Sequence, residues 1–327
     1  MEFVKFVTNI VKIMKIGILR EGKTPADKRV PLTPLQCVRL QEIYPHVDVV
    51  VQNSSVRCFD DQEYIDLGII MSKDLSDCDV LMGVKEVPKN ELIADKIYFY
   101  FSHTIKKQPY NRALLIKMIE LKIQMVDYEL LKRGDGRRLI GFGRYAGVVG
   151  CYNGFLAYGK RTGNYNLKSA YKCINRKEID KEIEKIKLSN IKIILTGNGR
   201  VGKGALEIIS ALNLKKINKK EFLRKKFNEP VFVHLDTMDY NVRKDGKISS
   251  KKDFYNNPNE YKSSFMQYAE EADIFIAGHF YASGSPYLFT REDAKSPRFK
   301  IRTIADISCD IDGPVASTIR PSTILNP

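Results

Sequence analysis

Four ionisable residues close four apolar runs in the first half of the chain: Arg20 after KIGIL, Lys85 after CDVLMGV, His103 after KIYFYFS and Glu129 after QMVDY. If those runs are parallel strands, the four lie at carboxyl ends, where open α/β sheets bind ligands. A guanidinium there clamps a carboxylate with its planar fork. An ammonium and an imidazole exchange protons with an amine or a carbonyl, once burial and neighbouring charge tune them. Taken singly, each residue also fits a strand end that simply meets water.

A second signal lies further on. Gly197-Asn-Gly199-Arg-Val-Gly202 is a G-x-G-x-x-G hexad between an apolar strand, Ile191 to Leu195, and an apolar-periodic helix with Ala205, Leu206, Ile208 and Ile209. In that context the first glycine permits a tight turn, the second lets the backbone approach a pyrophosphate and the third allows close helix packing. Arg200 and Val201, which open the helix, are counted with the glycines as cofactor-binding. An acid about 20 residues on would hold the ribose hydroxyls of NAD. None stands there: the next short strand reads LKKI, amid Lys215, Lys216, Lys219 and Lys220, a cluster suited to the 2′-phosphate of NADP. Asp236, after PVFVHL, is the rival acid, so NAD and NADP both stay open. With no metal-ligand pattern, hydride transfer coupled to proton exchange is the leading reaction class.

The elements that must position these groups are legible in the pattern. From Lys15, short apolar runs alternate with amphipathic stretches: KIGILR, a helix near Thr33 to Ile43, VDVVVQ, a helix near Asp60 to Leu67, CDVLMGVKE, KIYFYFSH, a helix from about Gln108 to Lys122, and QMVDYE. That alternation predicts a wound α/β domain with a mainly parallel sheet. A small-residue helix from about Ala146 to Tyr158 follows, expected to pack closely between domains. After the glycine loop, strands are expected at PVFVHLD, ADIFIAGHF and IRTIADIS, with a Lys- and Asn-rich insert from about Asn241 to Lys262. The fold class is therefore α/β: two Rossmann-like doubly wound domains, 14–145 for substrate and catalysis and 146–327 for the dinucleotide, with a cleft between them.

Composition narrows the classes further. The 327 residues are 43% hydrophobic and 28% charged, which excludes a disordered chain or a disulfide-dense scaffold. Lys plus Arg number 54 against 39 for Asp plus Glu, a net charge of +15. The excess is dispersed and mixed with Glu and apolar residues at helical spacing, which reads as solvated helix faces. No Cys2His2, RNP or basic-zipper pattern points to nucleic acid. Six scattered cysteines without a CxxC pair fit a reduced, cytoplasmic protein. No apolar run of 18 residues is present, which argues against a membrane partner. Met14 opens the segment MKIGILREGK, and residues 1–13 are set aside as an extension.

The motifs KIGILREGKTPADKRVPLTP, GVKEVP, YFYFSHTIKKQPYN, MVDYELL, GFGRYAGVVGCYNG, TGNGRVGKGALEI and IADISCDIDGP, with STIRPSTI, run in order along the chain. Together they resemble the alanine dehydrogenase, pyridine nucleotide transhydrogenase and saccharopine dehydrogenase superfamily, in particular its lysine:2-oxoglutarate reductase branch. The resemblance implies condensation of a lysine side-chain amine with the keto group of 2-oxoglutarate and reduction of the imine by a nicotinamide hydride. It implies that Arg20 binds a substrate carboxylate, Lys85 and His103 form the acid/base pair, and Glu86 and Glu129 tune their charge. Asp306, in IADIS, would lie near the nicotinamide and His103, with Asp310 a second aspartate there on the substrate side; ordinary loop capping is the rival for both. Partners are then small-molecule substrates, and a homo-oligomer is compatible with this. An alanine dehydrogenase-like enzyme and a non-catalytic dinucleotide-binding protein are the alternatives. Against the family, the sequence stops at Leu325-Asn326-Pro327, ahead of a segment that returns to the first domain, so a shortened first domain is expected.

Overall fold

A computed structural model describes residues 13–24, 27–248, 250–281, 284–311 and 313–320. The extension at 1–12 and the stretch 321–327, on which two of the expectations above fall, lie outside the described residues. The chain divides between Gly141 and Phe142 into two compact units.

The first unit holds strands β1 (Met14–Ile18), β2 (Val47–Gln52), β3 (Ile70–Ser72), β4 (Val80–Met82), β5 (Ile97–Tyr100) and β6 (Gln124–Asp127), with helices α1 (Pro34–Ile43), α2 (Asp61–Ile65) and α3 (Arg112–Glu120). The sheet runs β3-β2-β1-β4-β5-β6, all parallel. Side chains alternate across a strand, and β2 uses both faces. Val49 and Val51 pack with Ile18 against Cys37 of α1 and Tyr64 of α2, whereas Val50 faces the opposite layer with Leu81, Tyr98 and Tyr100, closed by Leu114 and Met118 of α3. A sheet buried on both faces explains the near-continuous apolar runs. Thr33 caps α1 in a reciprocal capping box with Gln36, with Pro34 at the first helical position. Strand β3 was not legible: Ile70–Ser72 is three residues long and half-exposed, so it carries no periodicity to read.

The second unit begins with α4 (Gly143–Thr162) and α5 (Arg176–Ile183), then β7 (Lys192–Thr196) and α6 (Arg200–Ala211). Strands β8 (Lys215–Lys216), β9 (Val231–Leu235), β10 (Asn241–Arg243), β11 (Tyr261–Ser263), β12 (Ile274–Ala277) and β13 (Thr303–Asp306) follow. Four of them join β7 in a parallel sheet in the order β13-β12-β7-β9-β8. Ile193 and Leu195 face the layer of α4 and α6, and Ile194 faces Phe222, Phe265 and Tyr268 on the other side. The fold is the expected α/β class with parallel sheets.

The small-residue helix α4 packs closely on α6 within the second unit: a Cβ on Gly147 would overlap the Val201 carbonyl, and one on Gly204 the Arg144 carbonyl, so the two helix backbones touch. The insert is an ordered excursion, with β10 and β11 paired antiparallel around a short helix, Lys251–Asn256. Arg243 locks it, bonding Asp245 at 2.8 Å and Asp253 at 2.5 Å.

Candidate functional site

In the first sheet the chain order reverses between β1 and β4, and open α/β sheets bind ligands at such a switch point. Arg20 follows β1, Lys85 and Glu86 follow β4, His103 follows β5 and Glu129 follows β6, on four adjacent strands. Backbone bonds continue the ladder past the strand ends: Leu19 N–H to the Met82 carbonyl at 2.8 Å, Phe101 to Val84 at 3.1 Å and Tyr128 to Tyr100 at 3.2 Å. Glu21 ties the first two ends together, its carboxylate accepting from the backbone N–H of Val84 at 2.7 Å and of Lys85 at 3.0 Å. Burial pushes the Glu21 carboxyl up, against the pull of those two donors.

His103 and Glu129 meet directly. The ring Nδ1 lies 3.1 Å from Glu129 Oε2, and because an ionised carboxylate only accepts, Nδ1–H donates and Nε2 is left to exchange a proton. Glu129 is buried and also bonded by Arg138, with the Lys106 ammonium 3.5 Å away. Burial raises its carboxyl, but the His103 and Arg138 hydrogen bonds and the positive charges outweigh it and hold it below the ordinary range. The histidine sits at φ 56°, in the left-handed region. That turn is held by Asp127, which accepts from the Ser102 hydroxyl at 2.6 Å and from the Glu129 N–H at 2.8 Å. Phe101 stacks on the His103 ring, 6.2 Å between centroids.

Arg20 is half-exposed, 3.3 Å from Glu91, on a cavity of about 690 Å³ also lined by Glu21, Asn53, Ser54 and Asp61. Glu86 pairs with Lys23. Burial raises the Glu86 carboxyl, but Lys23 and the nearby Lys85 charge carry it below its usual value.

In the second unit the switch point lies between β7 and β12, and the glycine loop opens there. Gly197 has φ 95°, and a Cβ on it would overlap the Gly278 carbonyl; a Cβ on Gly202 would overlap the carbonyl of Gly197. Gly199 differs: a Cβ there meets nothing within 4 Å. Two glycines thus close the turn, and the third leaves open space in front of the α6 N-terminus, as a pyrophosphate cradle requires. The cavity before it, about 450 Å³, is lined by Arg200, Val201, Asp236, Lys251, His279 and Asp310, among others.

The strand beside β7 is β9, not the expected LKKI strand, which sits beyond β9 at the sheet edge. Asp236 therefore stands next to the loop. Its carboxylate accepts from the Thr237 N–H at 2.6 Å and lies 2.5 Å from the Lys251 ammonium. Burial raises it, but Lys251 and the Thr237 N–H outweigh that and hold it low. None of Lys215, Lys216, Lys219 or Lys220 lines the cavity; Lys215 pairs with Glu229 and Lys219 with Asp239. Asp306 ends β13, its two oxygens taken by the hydroxyls of Ser308 at 2.8 Å and Thr318 at 2.6 Å, a loop-capping arrangement.

Sequence reasoning missed Glu21, Lys251 and His279. Glu21 and His279 each follow an apolar run, the same signal that singled out Arg20 and His103. Lys251 lies in the insert, where nothing local marks it.

Comparison with known proteins agrees with this architecture. Residues 17–149 match the family described as "Alanine dehydrogenase/PNT, N-terminal domain". That match lies almost wholly within the first unit. Among curated relatives, the mitochondrial alpha-aminoadipic semialdehyde synthase of Rattus norvegicus is 28% identical over 95% of this chain. The chain spans 38% of that relative's length. The saccharopine dehydrogenase [NAD(+), L-lysine-forming] of Emericella nidulans is 25% identical over 90% of this chain and 74% of its own. A solved L-alanine dehydrogenase shares the fold at a TM-score of 0.53 and 16% identity, covering 92% of this chain and 76% of that one. The superfamily resemblance read from the motifs is thus supported by family model, relatives and fold alike.

Proposed function

We propose that the protein is a nicotinamide-dinucleotide-dependent oxidoreductase acting on the CH–NH bond of an amino acid, interconverting saccharopine with lysine and 2-oxoglutarate. The observation that carries this reading is the run of Arg20, Lys85, His103 and Glu129 on four adjacent strand ends, with the His103–Glu129 bond made. The names of the relatives above supply the substrate pair. A dinucleotide, when bound at the Gly197 loop, supplies or takes the hydride. The rest falls to the chain's own side chains. Arg20 holds a substrate carboxylate by a charge-assisted fork. His103, oriented by Glu129, takes a proton at Nε2 from the substrate nitrogen or returns it, and Lys85 serves as the second proton-exchanging group. Glu86 adds negative charge beside Lys85, and its pairing with Lys23 keeps it ionised. Asp236 beside the loop favours the free ribose hydroxyls of NAD over a 2′-phosphate.

The test is coenzyme oxidation followed by absorbance, with 2-oxoglutarate plus lysine against pyruvate plus ammonia, each with NADH and NADPH. Turnover with the first pair supports the proposal, and turnover with the second alone replaces it by an alanine dehydrogenase-like reaction. Dinucleotide binding with no turnover in either leaves a non-catalytic binding protein.

A further inference from the structure

His279 follows β12 at the switch point of the second sheet, beside the glycine loop, and lines the loop's cavity. It is nine-tenths buried. Its Nδ1 lies 2.7 Å from the hydroxyl of Thr196, the last residue of β7. On the opposite edge of the ring, Nε2 is buried and has no hydrogen-bond partner among the described residues. The hydroxyl of Thr196 is itself fully buried, and among the described residues Nδ1 is its hydrogen-bond partner. A hydroxyl proton needs an acceptor, so Thr196 donates to Nδ1 and the ring proton resides on Nε2. Burial also keeps the ring neutral, its pKa pushed down to about 4 against the lesser opposing pull of Asp306. The backbone around it is fixed by the close approach of Gly278 to Gly197. A buried N–H without an acceptor costs about 1–3 kcal/mol, and such an orphan on a residue that lines a ligand cavity marks a missing partner.

We infer that His279 is a ligand-positioning donor of the dinucleotide site, its Nε2–H reserved for an oxygen acceptor, ribose hydroxyl or phosphate, of the bound dinucleotide. The inference rests on the dinucleotide reading of the glycine loop. It adds a third element to the cradle: the loop and the α6 N-terminus hold the anion, and β12 contributes a neutral, directional donor from the other side of the switch point. Thr196 fixes the tautomer and so the polarity of the bond.

The experiment uses the full chain with NAD+, NADP+ and ADP-ribose as probes, read by titration calorimetry and by ¹⁵N–¹H correlation spectra of the imidazoles. The chain has four histidines, so assignment by single substitution is direct. In the wild type, the His279 spectrum is expected to report a neutral Nε2–H tautomer whose Nε2 resonances move when ligand is added. His279→Leu is expected to weaken binding about ten-fold, the equivalent of one net hydrogen bond. His279→Gln, whose amide reaches the Nε2 position, recovers most of that. A shift with all three probes places the acceptor among the ribose and phosphate oxygens that they share and supports the inference; a shift confined to NAD+ and NADP+ places it on the nicotinamide, which ADP-ribose lacks, and overturns the assignment to a ribose hydroxyl or phosphate. Unaltered His279 resonances on saturation, or a His279→Leu variant that binds as tightly as the wild type, overturn it. Should His279→Leu fail to fold, the wild-type spectra alone decide. If the wild type binds none of the three probes, the dinucleotide reading itself falls, and this inference with it.

Discussion

Alanine at Gly199 and at Gly202 should have opposite consequences, because one glycine faces open space and the other a carbonyl. Gly199 is the N-cap of α6 with extended backbone, φ −80° and ψ −165°, which any residue adopts. Alanine there gains about 0.4–1 kcal/mol by restricting the unfolded chain. It loses a similar amount as a poorer N-cap, so the net change in stability is near zero. At Gly202 the added Cβ overlaps the Gly197 carbonyl, a backbone atom that no rotamer change can move aside. Overpacking of this kind costs about 1–3 kcal/mol. At roughly 2–4 °C per kcal/mol for a unit of this size, Gly202→Ala should lower Tm by roughly 2–12 °C and Gly199→Ala by almost nothing. Binding should follow a different order. The Gly199 methyl occupies the space before the α6 N-terminus, so Gly199→Ala should weaken NADH binding by at least about ten-fold, or 1.4 kcal/mol, in a fully stable protein. Calorimetric melting paired with titration of NADH fluorescence reads both quantities. Gly199→Ala that binds NADH like the wild type would refute the cradle, and one that melts as low as Gly202→Ala would refute the open space.

Four further outcomes follow from the same geometry. Glu129→Gln turns an acceptor facing His103 Nδ1 into an amide and removes the ion pairs of Arg138 and Lys106; turnover should fall about 10²-fold or more, and unchanged kcat would detach Glu129 from the reaction. Because the folded Glu129 carboxyl is held low, its stabilising share is full above the ordinary glutamate range near pH ~4.3 and is lost as pH falls through the lower folded value; denaturant titrations of wild type and Glu129→Gln should converge in that acid range. His279 acts in the same sense in a higher pH window: buried neutral, with a folded pKa of about 4, it is protonated first in the unfolded chain, so stability is lost as pH drops from about 6.5 to about 4, by on the order of 3 kcal/mol, and His279→Gln should remove that slope. Asp236→Ser removes the carboxylate beside the loop while Lys251 remains, and the ratio of NADP+ to NAD+ affinity should rise by at least about ten-fold; an unchanged ratio would mean that Asp236 does not face the ribose.

The strands that carry the first-unit site were legible because each is a short apolar run ending in a charged residue, and the parallel pattern leaves few places for them to go. His103 and Glu129 stand 26 residues apart in sequence, and their meeting follows from β5 and β6 pairing in register, Tyr100 opposite Asp127. Glu21 was overlooked although it adjoins Arg20, because its work is to accept backbone N–H groups from the end of β4, a role with no side-chain signature. Lys251 reaches Asp236 only because the insert folds as a hairpin and short helix, and its composition reads as solvated loop. The left-handed turn at His103 is equally silent in sequence: no glycine marks it, and Asp127 holds it from a neighbouring strand.

Hydrophobic periodicity and the spacing of three glycines are local properties, and they were enough to read the α/β class with parallel sheets, the glycine turn that opens α6 and the strand ends that carry ionisable residues. The order of strands is not local. Which run lies beside β7 depends on which apolar faces bury best against α4, α6 and the aromatic layer opposite, and that competition placed β9 there and sent the Lys-rich β8 to the edge. By that choice of tertiary packing Asp236, and not the lysine cluster, stands at the glycine loop, while the pairing of β12 with the other edge of β7 delivers His279 to the same cavity.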